Sequence, residues 1–144
     1  MGGEHTIGRW LADRARTTPD RVAIRHQGGE LTYAALDRRA NRLAAGFADR
    51  GLRRGDRLAT LTQTSADHVA TFFACARLGV ALQPILWRLA PPEIAYQLED
   101  AAPSLLLCSS EHDALGRACN SLLQAPIPLA HLGDPTLEAA GEVD

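Results

Sequence analysis

The fold is decided by the stretch from residue 57 to residue 89, RLATLTQTSADHVATFFACARLGVALQPILWRL. Its first seven residues are apolar in the middle and lie between polar turns, which predicts a largely buried β-strand. The apolar period then becomes that of one face of an α-helix, formed by Val69, Phe72, Phe73 and Ala76. A second apolar run over residues 80–86 predicts the next strand. A helix between two buried strands favours a parallel pair joined by a right-handed crossover.

The ends of this central helix carry their own signals. Ser65 stands at the position of an N-cap, and Asp67 places a negative charge in the first turn, where the helix dipole favours it. Gly79 stands where a helix C-terminus needs a residue that tolerates a positive φ. These signals predict where the helix begins and ends.

Outward from this unit, helices and strands alternate. Periodicity predicts helices over residues 6–17, 34–50, 91–102 and 112–123, and strands over residues 22–26, 30–33 and 104–108. Gly28-Gly29 joins the first two of these strands into a β-hairpin. From residue 124 onward, prolines and glycines interrupt every periodic pattern, so residues 124–144 are predicted to be a loop or linker. The predicted class is therefore α/β, with parallel strands, crossover helices and an N-terminal β-hairpin.

Composition limits the range of functions. A length of 144 residues suits one domain, and a net charge of −2 gives no electrostatic reason to expect a nucleic-acid partner. All 15 basic residues are arginines, so lysine chemistry is absent from this sequence. The three cysteines have no C-x-x-C spacing, which predicts reduced thiols and a cytoplasmic location. Neither a membrane span nor a secretory signal is expected.

Motif searches leave few candidate functional residues. Dinucleotide and triphosphate glycine motifs are absent, and the five histidines lack the spacing of metal ligands. His26 is interpreted as a surface residue of a strand. His68 is either a group that assists a reaction at the end of a strand or, as we favour, a polar residue in the first turn of a helix. The charged set Asp37, Arg38, Arg39 and Arg42 is either a phosphate-binding patch or, as we favour, a solvated helix face.

An ordered set of short motifs carries a much more specific signal. The set comprises Leu31-Thr32-Tyr33, Ala40-Asn41-Arg42-Leu43-Ala44, Gly51, Gly55-Asp56-Arg57, Leu78-Gly79-Val80, Pro84, Arg88-Leu89 and Glu93-Ile94. In order and spacing it resembles the beginning of an adenylate-forming, AMP-binding superfamily enzyme. The nearest branch is that of the acyl-CoA synthetases, which includes the fatty-acid–CoA ligases. The resemblance runs from about Ile7 to about Ser110.

The resemblance implies a fold and a reaction. Residues 1–123 would be the N-terminal α/β subdomain of the acyl-CoA synthetase-like fold, and residues 124–144 would lead toward the family's phosphate loop. The full-length enzyme would use ATP, Mg²⁺ and coenzyme A. A carboxylate attacks the α-phosphate of ATP to give an acyl-adenylate and pyrophosphate, and a thiol then displaces AMP. The family's phosphate-handling residues lie downstream of this segment, so no catalytic, cofactor-binding or metal residue is carried over to it.

Two interpretations follow for the 144 residues. In the first, which we favour, they are the front part of an acyl-CoA ligase and are catalytically incomplete alone. In the second, they form a stand-alone binding or assembly module without catalysis.

Two further expectations concern surfaces. Trp87 and Arg88, just past a strand's end, are candidates for the rim of an acyl or CoA channel; the alternatives are interface packing for Trp87 and a structural salt bridge for Arg88. The remainder of the ligase chain is the expected partner. Without it, uncovered apolar surface should make the chain self-associate.

Overall fold

The structure is a computed structural model that describes residues 6–138. Its helices are α1 (Ile7–Thr17), α2 (Tyr33–Asp49), α3 (Ala66–Leu78), α4 (Pro91–Ala101) and α5 (Asp113–Ser121). Its strands are β1 (Val22–His26), β2 (Gly29–Thr32), β3 (Arg57–Leu61), β4 (Ala81–Pro84), β5 (Leu105–Cys108) and β6 (Leu129–His131). Short 3₁₀ helices at Ser110–His112 and Pro135–Leu137 complete the described elements.

The main sheet is parallel and has the strand order β4-β3-β5-β6. On the central strand β3, Leu58 pairs with Leu82 of β4 on one side and with Leu105 of β5 on the other. Strands β1 and β2 form a separate antiparallel hairpin. The predicted α/β class, with crossover helices and an N-terminal hairpin, is confirmed.

Helices cover both faces of the main sheet. Alternate strand residues point to opposite sides, so Leu58, Leu105 and Leu107 pack with α1, α2 and α3. Ala59 and Leu106 point the other way and pack with α4 and α5. We call the first set of helices, together with the hairpin, the first layer, and α4 with α5 the second layer.

The central helix α3 begins and ends as predicted, but its buried face is wider. The Ser65 Oγ accepts a hydrogen bond from the His68 backbone N–H at 3.2 Å, and Gly79 adopts the left-handed conformation with φ 72°. The predicted apolar stripe is wrong at Phe72, which is 40% exposed. The buried positions include Ala70, Ala74 and Cys75, because α3 packs against α1, α2 and the sheet at once.

The prediction of a loop or linker over residues 124–144 is wrong for the segment that forms β6. Leu129 pairs with Leu106, and His131 pairs with Cys108, which adds a fourth parallel strand to the sheet. After it, Leu137 is 1% exposed and belongs to the apolar cluster of the first layer. Residues 139–144 lie outside the described part of the chain. Over residues 6–138, no helix has both the length and the hydropathy that crossing a bilayer requires.

Gly46 of α2 marks a backbone contact that holds this last segment in place. A Cβ at Gly46 would lie 2.8 Å from the carbonyl carbon of Leu137 and closer still to its oxygen. The contact leaves no room for any side chain, since real Cβ atoms do not approach backbone so closely.

We expect Gly46→Ala to destabilise the protein by roughly 1–2 kcal/mol, because overpacking against rigid backbone costs about 2–3 kcal/mol, the upper part of the usual range, and the gain in helix propensity is about 1 kcal/mol. The measurement is the midpoint of urea unfolding at an unchanged m-value. Gly29→Ala is the control, since its Cβ would meet nothing closer than 3.5 Å. A Gly46→Ala variant as stable as the wild type would contradict the packing described here.

Candidate functional site

The strand order predicts a crevice at the carboxyl ends of β3 and β5. From β3 the chain crosses to β4 on one side, and from β5 it crosses to β6 on the other side. The loops that follow two such neighbouring strands separate, and ligands of open α/β sheets bind in the resulting crevice. Here those loops are residues 62–65 after β3 and residues 109–112 after β5.

On the β3 side of the crevice, His68 is held by the loop before its own helix. Its Nδ1 lies 2.7 Å from the Thr62 Oγ1, and its backbone N–H donates to Ser65. Burial lowers the pKa of His68 below its ordinary value of 6.5, because removal from water penalises the charged imidazolium. A neutral imidazole can accept or donate the hydrogen bond with Thr62. His68 therefore joins the first turn of α3 to the end of β3.

On the β5 side, three side chains form a stack that the sequence analysis did not anticipate. The rings of Trp87 and His112 lie 4.7 Å apart between centroids, with 24° between their planes. The Arg88 guanidinium carbon lies 4.9 Å from the centre of the Trp87 ring. His112 is 7% exposed, and its Nε2 is buried without a hydrogen-bond partner among residues 6–138. The loop after β4 thus contacts the segment after β5.

The contacts of Arg88 in this stack bear on its two proposed roles, the rim of a channel and a structural salt bridge. The structural salt bridge considered for Arg88 is not found among residues 6–138, where no carboxylate lies within ion-pair distance of it. Its contact is instead a cation–π interaction, which is typical of arginine beside tryptophan. Arg88 is exposed, so its positive charge remains available just past the end of β4.

Two acidic side chains, Asp113 and Glu111, lie near this stack in sequence, and Asp113 is paired with basic side chains. The Asp113 Oδ1 lies 3.1 Å from the His131 Nδ1, and the other carboxylate oxygen of Asp113 pairs with Arg117. The pKa of Glu111 is lowered, chiefly by its own backbone N–H. Among residues 6–138, no group of three histidine, cysteine or carboxylate side chains is placed to hold a metal ion.

The three cysteine thiols are not suited to act as nucleophiles, because all of them are buried. Burial raises the pKa of Cys75 and of Cys108 to about 12, so both remain protonated at neutral pH. Burial also raises the pKa of Cys119. All three cysteines are free and buried, which suits their predicted role as small core residues.

The charged set on α2, which the sequence favours as a solvated helix face, is mostly paired with other elements: three of its four residues form ion pairs. Arg39 lies 2.6 Å from Asp67 of α3, and Arg42 lies 2.9 Å from Glu138. Asp37 pairs with Arg77, which is only 15% exposed. Arg38 remains exposed, whereas His26 lies on the exposed end of β1 as expected.

Comparison with known proteins decides the family. A model of the family described as "AMP-binding enzyme" matches residues 11–139. The chain belongs to this family. The resemblance found in the sequence motifs is thereby confirmed.

This AMP-binding family member is similar to longer enzymes. It is 39% identical over 122 residues to a feruloyl-CoA synthase of an Amycolatopsis species, a match that covers 83% of this chain but 25% of the relative. The chain therefore spans about a quarter of that relative's length.

Two solved structures show the same fold. An O-succinylbenzoate coenzyme A synthetase of Bacillus subtilis, in complex with ATP and magnesium ion, superposes with a TM-score of 0.79 at 30% identity, over 94% of this chain and 35% of that one. A fatty acyl CoA synthetase of Mycobacterium tuberculosis gives a TM-score of 0.86 at 27% identity, over 96% and 29%. The predicted N-terminal subdomain of the acyl-CoA synthetase-like fold is confirmed.

The lowered pKa of His68 predicts that the stability of the folded chain depends on pH. Below about pH 6.5 the unfolded chain binds a proton at His68 that the folded chain does not, so the free energy of unfolding should fall as the pH falls from about 6.5 toward the lowered folded pKa. His68→Gln should remove part of this loss. The measurement is urea unfolding at a series of pH values, with His26→Gln as the control. Identical pH dependences for His68→Gln and wild type would contradict the inferred burial of the imidazole.

Proposed function

We propose that this chain is the N-terminal part of an ATP-dependent carboxylic acid–CoA ligase and that it supplies scaffold rather than phosphate chemistry. The observation that carries the proposal is the match of 83% of this chain to 25% of a feruloyl-CoA synthase. ATP, Mg²⁺ and coenzyme A are the proposed cofactors of the whole enzyme, and the remainder of the ligase is the proposed partner. The three free thiols support a reducing, cytoplasmic compartment.

The described residues do not fit the triphosphate of ATP. Transfer of a nucleotidyl group needs cations and backbone donors aimed at the phosphates. Here Arg39 and Arg42 of α2 and Arg77 of α3 are each paired with a carboxylate. The sequence holds no lysine, and the described part has no group of metal ligands. These observations support placing phosphate handling outside this segment.

Trp87 and Arg88 are the residues that we propose for the rim of the acyl or CoA channel. They lie just past the end of β4, they contact the segment after β5, and the guanidinium of Arg88 has no carboxylate partner among the described residues. Coenzyme A carries phosphates and an aromatic base. An exposed arginine beside an aromatic ring suits such an anionic ligand.

The experiment compares three proteins by ATP–pyrophosphate exchange and thioester formation. The first is the 144-residue chain alone, which we expect to give no exchange and no heat of ATP binding. The second is a hybrid in which residues 6–138 replace the corresponding segment of the Bacillus subtilis O-succinylbenzoate coenzyme A synthetase. We expect the hybrid to catalyse both steps, because the two segments share one fold. Exchange by the 144-residue chain alone, or a folded hybrid without activity, would contradict the proposed scaffold role.

The third protein is the hybrid with Arg88→Ala. We expect the KM for coenzyme A to rise about five- to tenfold, corresponding to the loss of one charged contact of roughly 1 kcal/mol, while pyrophosphate exchange is unchanged. Arg53→Ala is the control, since Arg53 is exposed in the turn that precedes β3, at the opposite edge of the sheet. An unchanged KM would exclude Arg88 from the rim.

A further inference from the structure

The two helical layers carry opposite net charge. The first layer, that is residues 7–49 (α1, the hairpin and α2) together with α3, contains nine arginines and six carboxylates. Residues 91–121, which include α4 and α5, contain five carboxylates and a single arginine, Arg117. The overall charge of −2 hides this separation. Because the sheet lies between the layers, a positive surface and a negative surface face in opposite directions.

Charges on both layers are free to interact with another molecule. In the first layer, Arg38 is exposed and has no carboxylate within ion-pair distance among residues 6–138. In the second layer, Glu93 and Asp100 are exposed, and the described part of the chain offers neither of them a cationic partner. Neither surface is neutralised by its own layer.

Each layer also exposes large apolar side chains. On the first layer these are Ile7, Trp10 and Phe72, which are 57%, 49% and 40% exposed. The rings of Trp10 and Phe72 both contact Phe73, at centroid distances of 6.0 and 5.3 Å. On the second layer, Tyr96 is 71% exposed, and Leu122, at the end of α5, is 54% exposed. Exposed apolar groups rimmed by charge are typical of interaction surfaces.

We propose that the occupant of these surfaces in the isolated chain is a second copy, bound head to tail, with the first layer of one copy on the second layer of the next. The inference rests on the proposed function, in which the remainder of the ligase is absent from the isolated chain. A symmetric pairing of one layer with itself would place like charges opposite one another, which disfavours it. Head-to-tail contacts leave one free surface of each kind at the ends, so association continues beyond the dimer.

The test is sedimentation velocity of the 144-residue chain at rising concentration, up to about 200 μM, at low and high salt. We expect the average sedimentation coefficient to rise with concentration without a plateau at the dimer. Raising the salt from about 0.02 M to about 0.5 M should reverse the rise, because salt screens exposed charges. A monomer at every concentration, or a dimer that does not respond to salt, would overturn the proposal.

Charge reversal on each layer identifies the contact. Arg38→Glu and Asp100→Arg should each weaken association about threefold or more, as exposed charge pairs contribute about 0.2–1 kcal/mol and reversal adds repulsion. A mixture of the two variants should associate about as well as the wild type, because each copy then meets a layer of opposite charge. Arg53→Glu, in the turn before β3, is the control for net charge and should change little. A mixture as weak as either variant alone would overturn the proposal.

A matched pair of variants tests the apolar part of the contact between copies. Ile7→Ser, on the first layer, should weaken association about tenfold, and Leu86→Ser should not, although Ile7 and Leu86 are 57% and 58% exposed. Equal losses in the two variants would contradict the assignment to the first layer. Unfolding midpoints of all variants show whether each remains folded. The ATP–pyrophosphate exchange assay reports separately on the proposed function, so the two proposals can fail independently.

Discussion

The rest of the structure depends on the burial of β3 and β5 on both faces of a parallel sheet. Leu58, Ala59 and Leu61 of β3 are fully buried, and all four residues of β5 are at most 1% exposed. Such strands form only where helices cover both sides, because parallel strands are joined by crossovers that run over the faces of the sheet. The apolar runs in the sequence therefore require two helical layers. The alternation of side chains along each strand then divides the core into two clusters.

The same constraint determines where polar side chains can collect. The two faces of the sheet are covered, so the loops at its edges are the places where polar groups meet water and ligands. At the carboxyl edge this brings together Thr62 with His68, and Trp87 with His112. The remaining charged side chains lie on the helical layers. The two signs are divided unequally along the chain, since twelve of the fifteen arginines but only seven of the seventeen carboxylates lie in the first 57 residues.

Much of the fold follows from local pattern. The strand at the start of the 57–89 stretch, the Ser65 cap and the Gly79 terminus are all found where periodicity and turn chemistry predict them. Strand β6 was missed because three residues among prolines show no period, and they become a strand only by pairing with β5. Phe72 was placed on the buried stripe because periodicity shows one apolar face and does not show which of its residues a neighbouring helix leaves open.

The candidate site was less predictable than the fold. Trp87 and Arg88 were found as candidates because they follow the end of a strand, but their contact with His112 joins residues that are distant in sequence. The ion pairs of Arg39 with Asp67 and of Arg42 with Glu138 were missed for the same reason. Long-range pairing of charges depends on how the helices pack, which a single sequence does not show. The resemblance to AMP-binding enzymes succeeded because it used the order of many motifs at once.

Amide hydrogen exchange of the isolated chain, measured residue by residue at high salt, tests most directly whether β3 and β5 are the centre of the structure. We expect the amides of these two strands to exchange slowest and with a common free energy of opening, while those of β4, β6 and the hairpin exchange earlier, since they lie at edges. Greater protection in the hairpin or in α1 than in β3 would contradict the account.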